Sequence, residues 1–164
     1  MDSIPSVVAG AAIALCGVLL AQLVAMIQSR LDREHKRDIL LRTKYEELAE
    51  HLNDSLLWAT SVLSVCTFEE MQSRTQPIPA RKAYTLSLLY FPKLKPFAES
   101  YVDASIAFQN TLIENFRPLN GVSAGAQAAK HTPQAFNAAG ERLRATREAF
   151  DNEIQNCASE YIRA

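Results

Sequence analysis

The sequence predicts an all-α protein, in which an N-terminal transmembrane helix continues into a cytoplasmic antiparallel helical bundle of three long helices and one short helix. Three observations carry this prediction. Residues 4–27 contain no charged side chain. Apolar residues recur at steps of three or four over most of the remaining chain, as in amphipathic helices, and no useful length of sequence alternates as a strand does. We therefore divide the chain into a transmembrane anchor (1–27), a charged helical stalk (28–38) and a helical bundle (39–164).

Length and charge exclude several classes of protein. With 164 residues, the chain accommodates one ordinary domain, or a smaller domain with an appendage. It is too short for an α/β barrel or a two-domain enzyme with its own nucleotide fold. The formal net charge of −1 gives no argument for a nucleic-acid partner.

The uncharged run is predicted to cross a bilayer. As a helix, residues 4–27 would extend about 36 Å at about 1.5 Å per residue, enough for a hydrocarbon core of about 30 Å. The alternatives are a buried core helix and a cleavable signal peptide, which begins with basic residues and has a shorter apolar run. The leader Met1-Asp2-Ser3 has no basic residue, so we expect a permanent anchor with the lipid bilayer as a partner.

Charge on the two sides of the anchor predicts its orientation. Only Asp2 precedes it, and six basic residues follow it: Arg30, Arg33, Lys36, Arg37, Arg42 and Lys44. Lys and Arg are retained on the cytoplasmic side of a membrane. We therefore expect a single-pass protein of a bacterial inner membrane, with the N-terminus outside and the bulk of the chain in the cytoplasm.

Small residues recur along one face of the predicted anchor, namely Gly10, Ala14, Gly17, Ala21 and Ala25. Small side chains let two helix backbones approach closely in lipid, where packing drives association. Gln22 would add an interhelical hydrogen bond, because an unpaired amide in hydrocarbon is costly. This face predicts a homo-oligomer; the alternative is that Ala and Gly are simply common in membrane helices.

The stalk is predicted to be an exposed helix at the membrane surface. It contains the acid-first pair Asp32 and Lys36, and a second pair, Asp38 with Arg42, at the same spacing. Its basic residues Arg30, Arg33, Lys36 and Arg37 would lie close to anionic lipid head groups. The alternative is that these residues serve only as the topology signal.

Helical stripes predict the first part of the bundle. The first long helix is expected from residue 39 to residue 66, with a core-facing stripe of Leu41, Tyr45, Leu48, Leu52, Leu56, Ala59, Leu63 and Cys66. Thr67 and Glu70 have the spacing of a capping box, which would start a short turn of helix. Pro77 and Pro79 then break the helical pattern.

The remaining helices are predicted from the same signals. A short helix is expected at 80–90 and a second long helix at 94–116. Residues 118–131 are small, polar and glycine-containing, which indicates a flexible loop. Thr132 and Pro133 are then typical of an N-cap followed by proline at the first helical position, and the last long helix follows.

One apolar segment has two interpretations. Tyr84, Leu88, Tyr90 and Phe91 lie in a dense apolar patch beside two lysines. Most of this patch is expected to close the end of the bundle. Alternatively, these four residues form a groove for a helix of an unknown protein partner.

Motifs that would carry chemistry are absent from the sequence. There is no Gly-x-Ser-x-Gly elbow, Walker A loop or dinucleotide-binding glycine pattern. Cys66 and Cys157 are interpreted as buried small hydrophobic residues, and Glu47 with His51 as a surface pair, because a di-iron bundle needs further inward carboxylates. We expect no enzyme, no cofactor and no metal.

The order of these features resembles a widespread group of small bacterial and phage membrane proteins. Members have one N-terminal span, a basic helical stalk and a cytoplasmic helical domain. The LeuLeuTyrPhePro stretch at 88–92, followed by Leu94, is similar to an aromatic-proline junction between helices in such proteins. The resemblance implies a compartment and a host class, and it supplies no catalytic residue.

These observations favour a non-enzymatic, membrane-anchored interaction or scaffold protein that self-associates at the inner face of a bacterial membrane. The first alternative is a membrane-perturbing effector of the holin or phage-exclusion kind, which the small-residue face and Gln22 would suit. The second alternative is an extracytoplasmic helical sensor bundle, which requires the opposite topology.

Overall fold

Helices form all the regular structure of the residues that the computed structural model describes, which are 4–74, 76–118 and 121–161, with side chains from residue 15 onward. The predicted all-α class is thus confirmed. The elements are α1 (Ile4–Leu63), α2 (Phe68–Arg74), α3 (Ile78–Tyr90), α4 (Lys95–Asn115), α5 (Ala124–His131) and α6 (Pro133–Tyr161).

Contacts divide the chain into two units, with the boundary after Leu40. The first unit contains the N-terminal part of α1. Its described side chains are exposed along almost its whole length. The second unit begins at Leu41 and contains the rest of α1 together with the other helices.

The second unit has a layered apolar core. In the largest cluster, Leu48 and Leu52 of α1 pack with Ala80 and Ala83 of α3 and with Phe150 of α6. The two alanines allow α3 to lie close to its neighbours. A second cluster joins α1 to α4 and α5, and consists of Trp58, Val62, Phe108, Leu112 and Ala128. A third joins the segment after α1 to α2 and α5 through Val65, Met71, Phe116 and Ala124.

Aromatic rings close one end of the core. Phe91 is fully buried, and its ring centroid lies 5.3 Å from that of Tyr45 and 4.9 Å from that of Tyr161. The Tyr45 hydroxyl donates to the Ile154 carbonyl. Burial raises the pKa of Tyr45 from 10.0 to about 12. Because the neutral phenol is the form that the core favours, this contribution to stability is complete below pH 10 and is lost as the pH rises towards 12.

The core face of α1 differs from the predicted stripe. Leu56 is 47% exposed, whereas Ser55 and Trp58 are buried. The buried positions follow the helical period through Tyr45, Leu48, Leu52, Ser55, Trp58 and Val62. Ser55 is accommodated because its hydroxyl lies 2.5 Å from the Leu52 carbonyl and 2.6 Å from the Tyr101 hydroxyl. The sequence prediction assigned Leu56 to the core because it is apolar, and it missed Ser55 because the hydrogen bonds that allow this polar residue to be buried are not visible in the sequence.

The end of α1 also differs from the prediction. The helix ends at Leu63, three residues early, and Cys66 is half-buried beyond its end rather than part of the core. The predicted capping box is confirmed: the Glu70 amide donates to the Thr67 hydroxyl at 3.2 Å, and the Cys66 amide donates to the Glu70 carboxylate at 3.1 Å. That second hydrogen bond lowers the pKa of Glu70.

The predicted loop at 118–131 is wrong, because α5 occupies its second half. Gly121, with φ of 78°, makes the turn that leads into this helix. The Ser123 hydroxyl accepts from the Ala126 amide at the helix start. A Cβ atom on Gly125 would lie 2.8 Å from Leu63 Cδ2 and 3.2 Å from the Leu63 carbonyl oxygen, so α5 lies close against the end of α1. In the described residues α5 therefore joins the short helices of the bundle.

Candidate membrane and partner interface

The first candidate surface is the apolar part of α1. Eight large apolar side chains between Leu15 and Ile27 are each more than half exposed. In the described part of the chain, one helix is long and apolar enough to cross a membrane, and none of its most apolar stretch is buried. The alternative of a buried core helix is therefore not supported in this fold.

The predicted small-residue face can be described in part. Gly17, Ala21, Gln22 and Ala25 are exposed on α1. A Cβ atom on Gly17 would meet nothing within 4 Å, so the backbone at this position is open to a neighbour. Gly10 and Ala14 lie in the part of α1 whose side chains are outside the described residues.

The predicted membrane-surface residues Arg30, Arg33, Lys36 and Arg37 are all exposed. Lys36 forms the predicted ion pair with Asp32, at 2.7 Å. The predicted pair between Asp38 and Arg42 is wrong. Asp38 and Glu46 each lie one helical turn from Arg42, and the guanidinium pairs with Glu46 at 3.1 Å.

The predicted partner groove at Tyr84, Leu88, Tyr90 and Phe91 is not a single surface. Phe91 is buried in the aromatic end of the core, so it is not accessible to a partner. Tyr84 and Tyr90 are half-buried and pack against the same cluster. Leu88 alone is exposed, at 49%. The patch closes the end of the bundle because the ring of Phe91 lies between Tyr45 of α1 and Tyr161 of α6.

A different groove runs between α1 and α3, which we call the α1–α3 seam. One cleft of about 420 Å³ is lined by Glu47 and His51 of α1 and by Ile78, Arg81, Lys82, Thr85 and Leu86 of α3. A second cleft of about 450 Å³ shares Ile78 and continues past Leu57 and Trp58. The Trp58 indole donates to the Arg74 carbonyl at 2.8 Å, which fixes its ring at this end of the seam.

The predicted pair of Glu47 with His51 is present, and it lines this seam at the surface of the bundle. Lys44 Nζ is 2.6 Å from Glu47 Oε2, while His51 Nε2 is 3.8 Å from Glu47 Oε1. The hydrogen bond from Lys44 lowers the pKa of Glu47, and the same bond raises the pKa of Lys44. Glu47 is thus held as a carboxylate whose charge is locally balanced by Lys44. Sequence reasoning placed the pair on α1 but had no signal for α3 beside it.

Within the described residues, no group of three or more His, Cys, Asp or Glu side chains is placed to hold a metal ion. Cys157 is buried, and burial raises the pKa of its thiol.

No protein-family model, curated protein or solved structure matches this chain.

Proposed function

We propose that this protein is a single-span membrane protein whose helical bundle acts as a non-enzymatic interaction scaffold. In this proposal the N-terminus lies outside, and the bundle lies at the cytoplasmic face of a bacterial inner membrane. The exposed apolar stretch of α1 carries the proposal, because eight large apolar side chains left in water would be strongly unfavourable. The cationic residues that follow it support the orientation.

The proposed mechanism is tethering. Confinement of a binding domain to a membrane raises its effective concentration near partners that share the membrane. The bundle supports this role because it has its own apolar core and also has surface grooves in which a partner could bind. Self-association through the small-residue face of α1 would place several bundles side by side.

Cell fractionation tests the anchor. Expressed in a bacterium, the full chain is expected in the membrane fraction, where it should resist extraction by alkaline carbonate and be released by detergent. Mass spectrometry of the intact protein should show that its first residues have not been cleaved. Replacing Leu15 and Leu19 with arginine should release it, because each arginine near the centre of a span costs about 2.5–3.5 kcal/mol. The matched variant Leu88→Arg with Leu89→Arg, on exposed positions of α3, should stay with the membrane. Wild-type protein in the soluble fraction without detergent would contradict the anchor.

A reporter fused after Ala164 tests the orientation. An enzyme that is active only in the cytoplasm should be active in this fusion, and one that is active only outside the cytoplasm should be silent. The reverse pattern would overturn the proposed topology and favour an extracytoplasmic bundle.

Substitution of the small-residue face tests self-association of the membrane helix. Gly17→Ile with Ala21→Ile should raise the dissociation constant in detergent by at least about tenfold, because bulky side chains keep the two backbones apart. Leu19→Ile with Leu23→Ile has the same spacing on the opposite face and should leave the constant unchanged. Equal constants for the two variants, measured by analytical ultracentrifugation, would remove this face from the proposal.

A further inference from the structure

The two walls of the α1–α3 seam carry opposite charge. On α1, Glu47 lines the first cleft. Glu50 and Asp54 do not line either cleft, but they lie three and seven residues after Glu47 and so share its helical face beside the seam. On α3, Arg81 and Lys82 line the cleft, and this helix contains no acidic residue. Among the described residues, none of Glu50, Asp54, Arg81 and Lys82 forms an ion pair within 4 Å. Glu47 is paired with Lys44 on the same helix, whereas the charges of Glu50 and Asp54 beside the seam and of Arg81 and Lys82 across it remain available to a partner.

The same seam exposes apolar side chains at one end. Leu57 is 63% exposed on α1 and Ile78 is 52% exposed on α3, and both line the second cleft. Such a pair of neighbouring apolar side chains gains from contact with another apolar surface.

The two helices of the seam are antiparallel. The ring of Tyr45 on α1 lies 5.3 Å from that of Phe91, which follows α3, whereas Trp58 of α1 donates to the carbonyl of Arg74, which precedes α3. The acidic stretch of α1 is therefore level with the basic stretch of α3, and Leu57 is level with Ile78.

We propose that the α1–α3 seam binds the same seam of a second copy of this chain, about a two-fold axis parallel to the two helices. Rotation about such an axis leaves the position of each residue along the helix direction unchanged, and it places α1 of one copy opposite α3 of the other. The acidic face of α1 in each copy then meets the basic face of α3 in the other, and Leu57 meets Ile78, each contact occurring twice. An all-acidic or all-basic partner would instead be repelled by one wall of the seam, so charge favours a second copy over such a partner.

This inference deepens the proposed function, because it names the bundle surface through which the scaffold would assemble. It predicts contacts that do not depend on the membrane helix. The two proposals can therefore fail separately.

Charge reversal gives a selective test in full-length protein in a non-ionic detergent. The α3 variant carries Arg81→Glu with Lys82→Glu, and the α1 variant carries Glu50→Lys with Asp54→Lys. Each variant alone should dimerise at least about tenfold more weakly than wild type, because every charge contact becomes repulsive. An equimolar mixture should recover dimers that contain one copy of each variant, since both α1–α3 contacts are then attractive again. The control Lys130→Glu with Arg142→Glu, on exposed positions of α5 and α6, should dimerise as wild type does.

Zero-length crosslinking of carboxylates to amines identifies the contact itself. A mixture of ¹⁴N-labelled and ¹⁵N-labelled wild-type chains should give mixed-label crosslinks from Lys82 to Glu50 or Asp54, resolved by mass spectrometry. These crosslinks should persist in Gly17→Ile with Ala21→Ile, which separates the seam from the membrane helix, and they should persist if the chain proves to be soluble.

Three results would overturn the seam dimer. They are crosslinks from Lys82 of the same label only, a chain that stays monomeric at high concentration, and a variant mixture that dimerises no better than its components. Circular dichroism of each charge variant provides the folding check. If a variant has lost helix, the mixed-label crosslinks of the wild-type chain decide the outcome.

Discussion

Replacing Gln127 with alanine is expected to lower the free energy of unfolding of the bundle by about 4 kcal/mol. Gln127 is 1% exposed, and its side chain makes two hydrogen bonds to the backbone. Its carbonyl accepts from the Arg117 amide at 2.7 Å, and its amide donates to the Val122 carbonyl at 2.9 Å. The truncated side chain leaves both groups without these partners, at about 1–3 kcal/mol each. These two bonds hold the segment between α4 and α5.

Urea unfolding followed by the fluorescence of the single tryptophan, Trp58, measures this change in the full chain. Trp58 lies in the same core cluster as Ala128 of α5, so its emission reports on this part of the bundle. The control Gln155→Ala removes an exposed side chain of α6 and should change stability by less than about 0.5 kcal/mol. A Gln127→Ala effect as small as that of the control would contradict the buried network.

Truncating Phe150 to alanine is expected to destabilise the bundle by about 3–5 kcal/mol, the usual range for a fully buried phenylalanine. Phe150 is 0% exposed in the largest cluster, and its ring centroid lies 6.3 Å from that of Tyr101. The loss combines the transfer of the ring with the cavity that remains among α1, α3 and α4. A domain is typically stable by only about 5–15 kcal/mol, so this variant should be close to unfolding at 37 °C.

Phe68 provides a matched control for Phe150. It is 65% exposed on α2, so Phe68→Ala should leave the urea midpoint nearly unchanged. If the two phenylalanine variants unfold at the same urea concentration, α6 does not pack as described.

Local patterns predicted the long helices well, because amphipathic period and capping residues act within a few turns. Pro133 at the start of α6 is an example, and the capping pair Thr67 and Glu70 likewise predicted the start of the short helix α2. The membrane anchor stays a prediction, which rests on the length of residues 4–27, their lack of charge and a leader without basic residues.

Features that depend on tertiary contacts could not be predicted in the same way. The predicted core-facing residues of α1 did not include Ser55, because its hydroxyl is hydrogen-bonded to Tyr101, which is distant in sequence. The buried face of α5 consists of Ala124, Gly125, Gln127 and Ala128, so no large apolar side chain marked this helix in the sequence. Its contacts include the hydrogen bonds of Gln127 to the segment before the helix and the close approach of Gly125 to Leu63, which is distant in sequence. The α1–α3 seam was missed because neither helix alone shows which of its faces lies beside the other.

The different environments of Cys66 and Cys157 allow thiol labelling to measure how often the bundle opens. Cys66 is half-buried beyond the end of α1, so a thiol reagent can reach it in the folded chain. Cys157 is enclosed in the core, and its thiol reacts only when α6 separates from its neighbours, because the nucleophilic thiolate is disfavoured by burial. The labelling rate at Cys157 therefore measures how often the bundle opens locally. The labelling rate at Cys66 in the same sample provides the reference for the reactivity of the reagent.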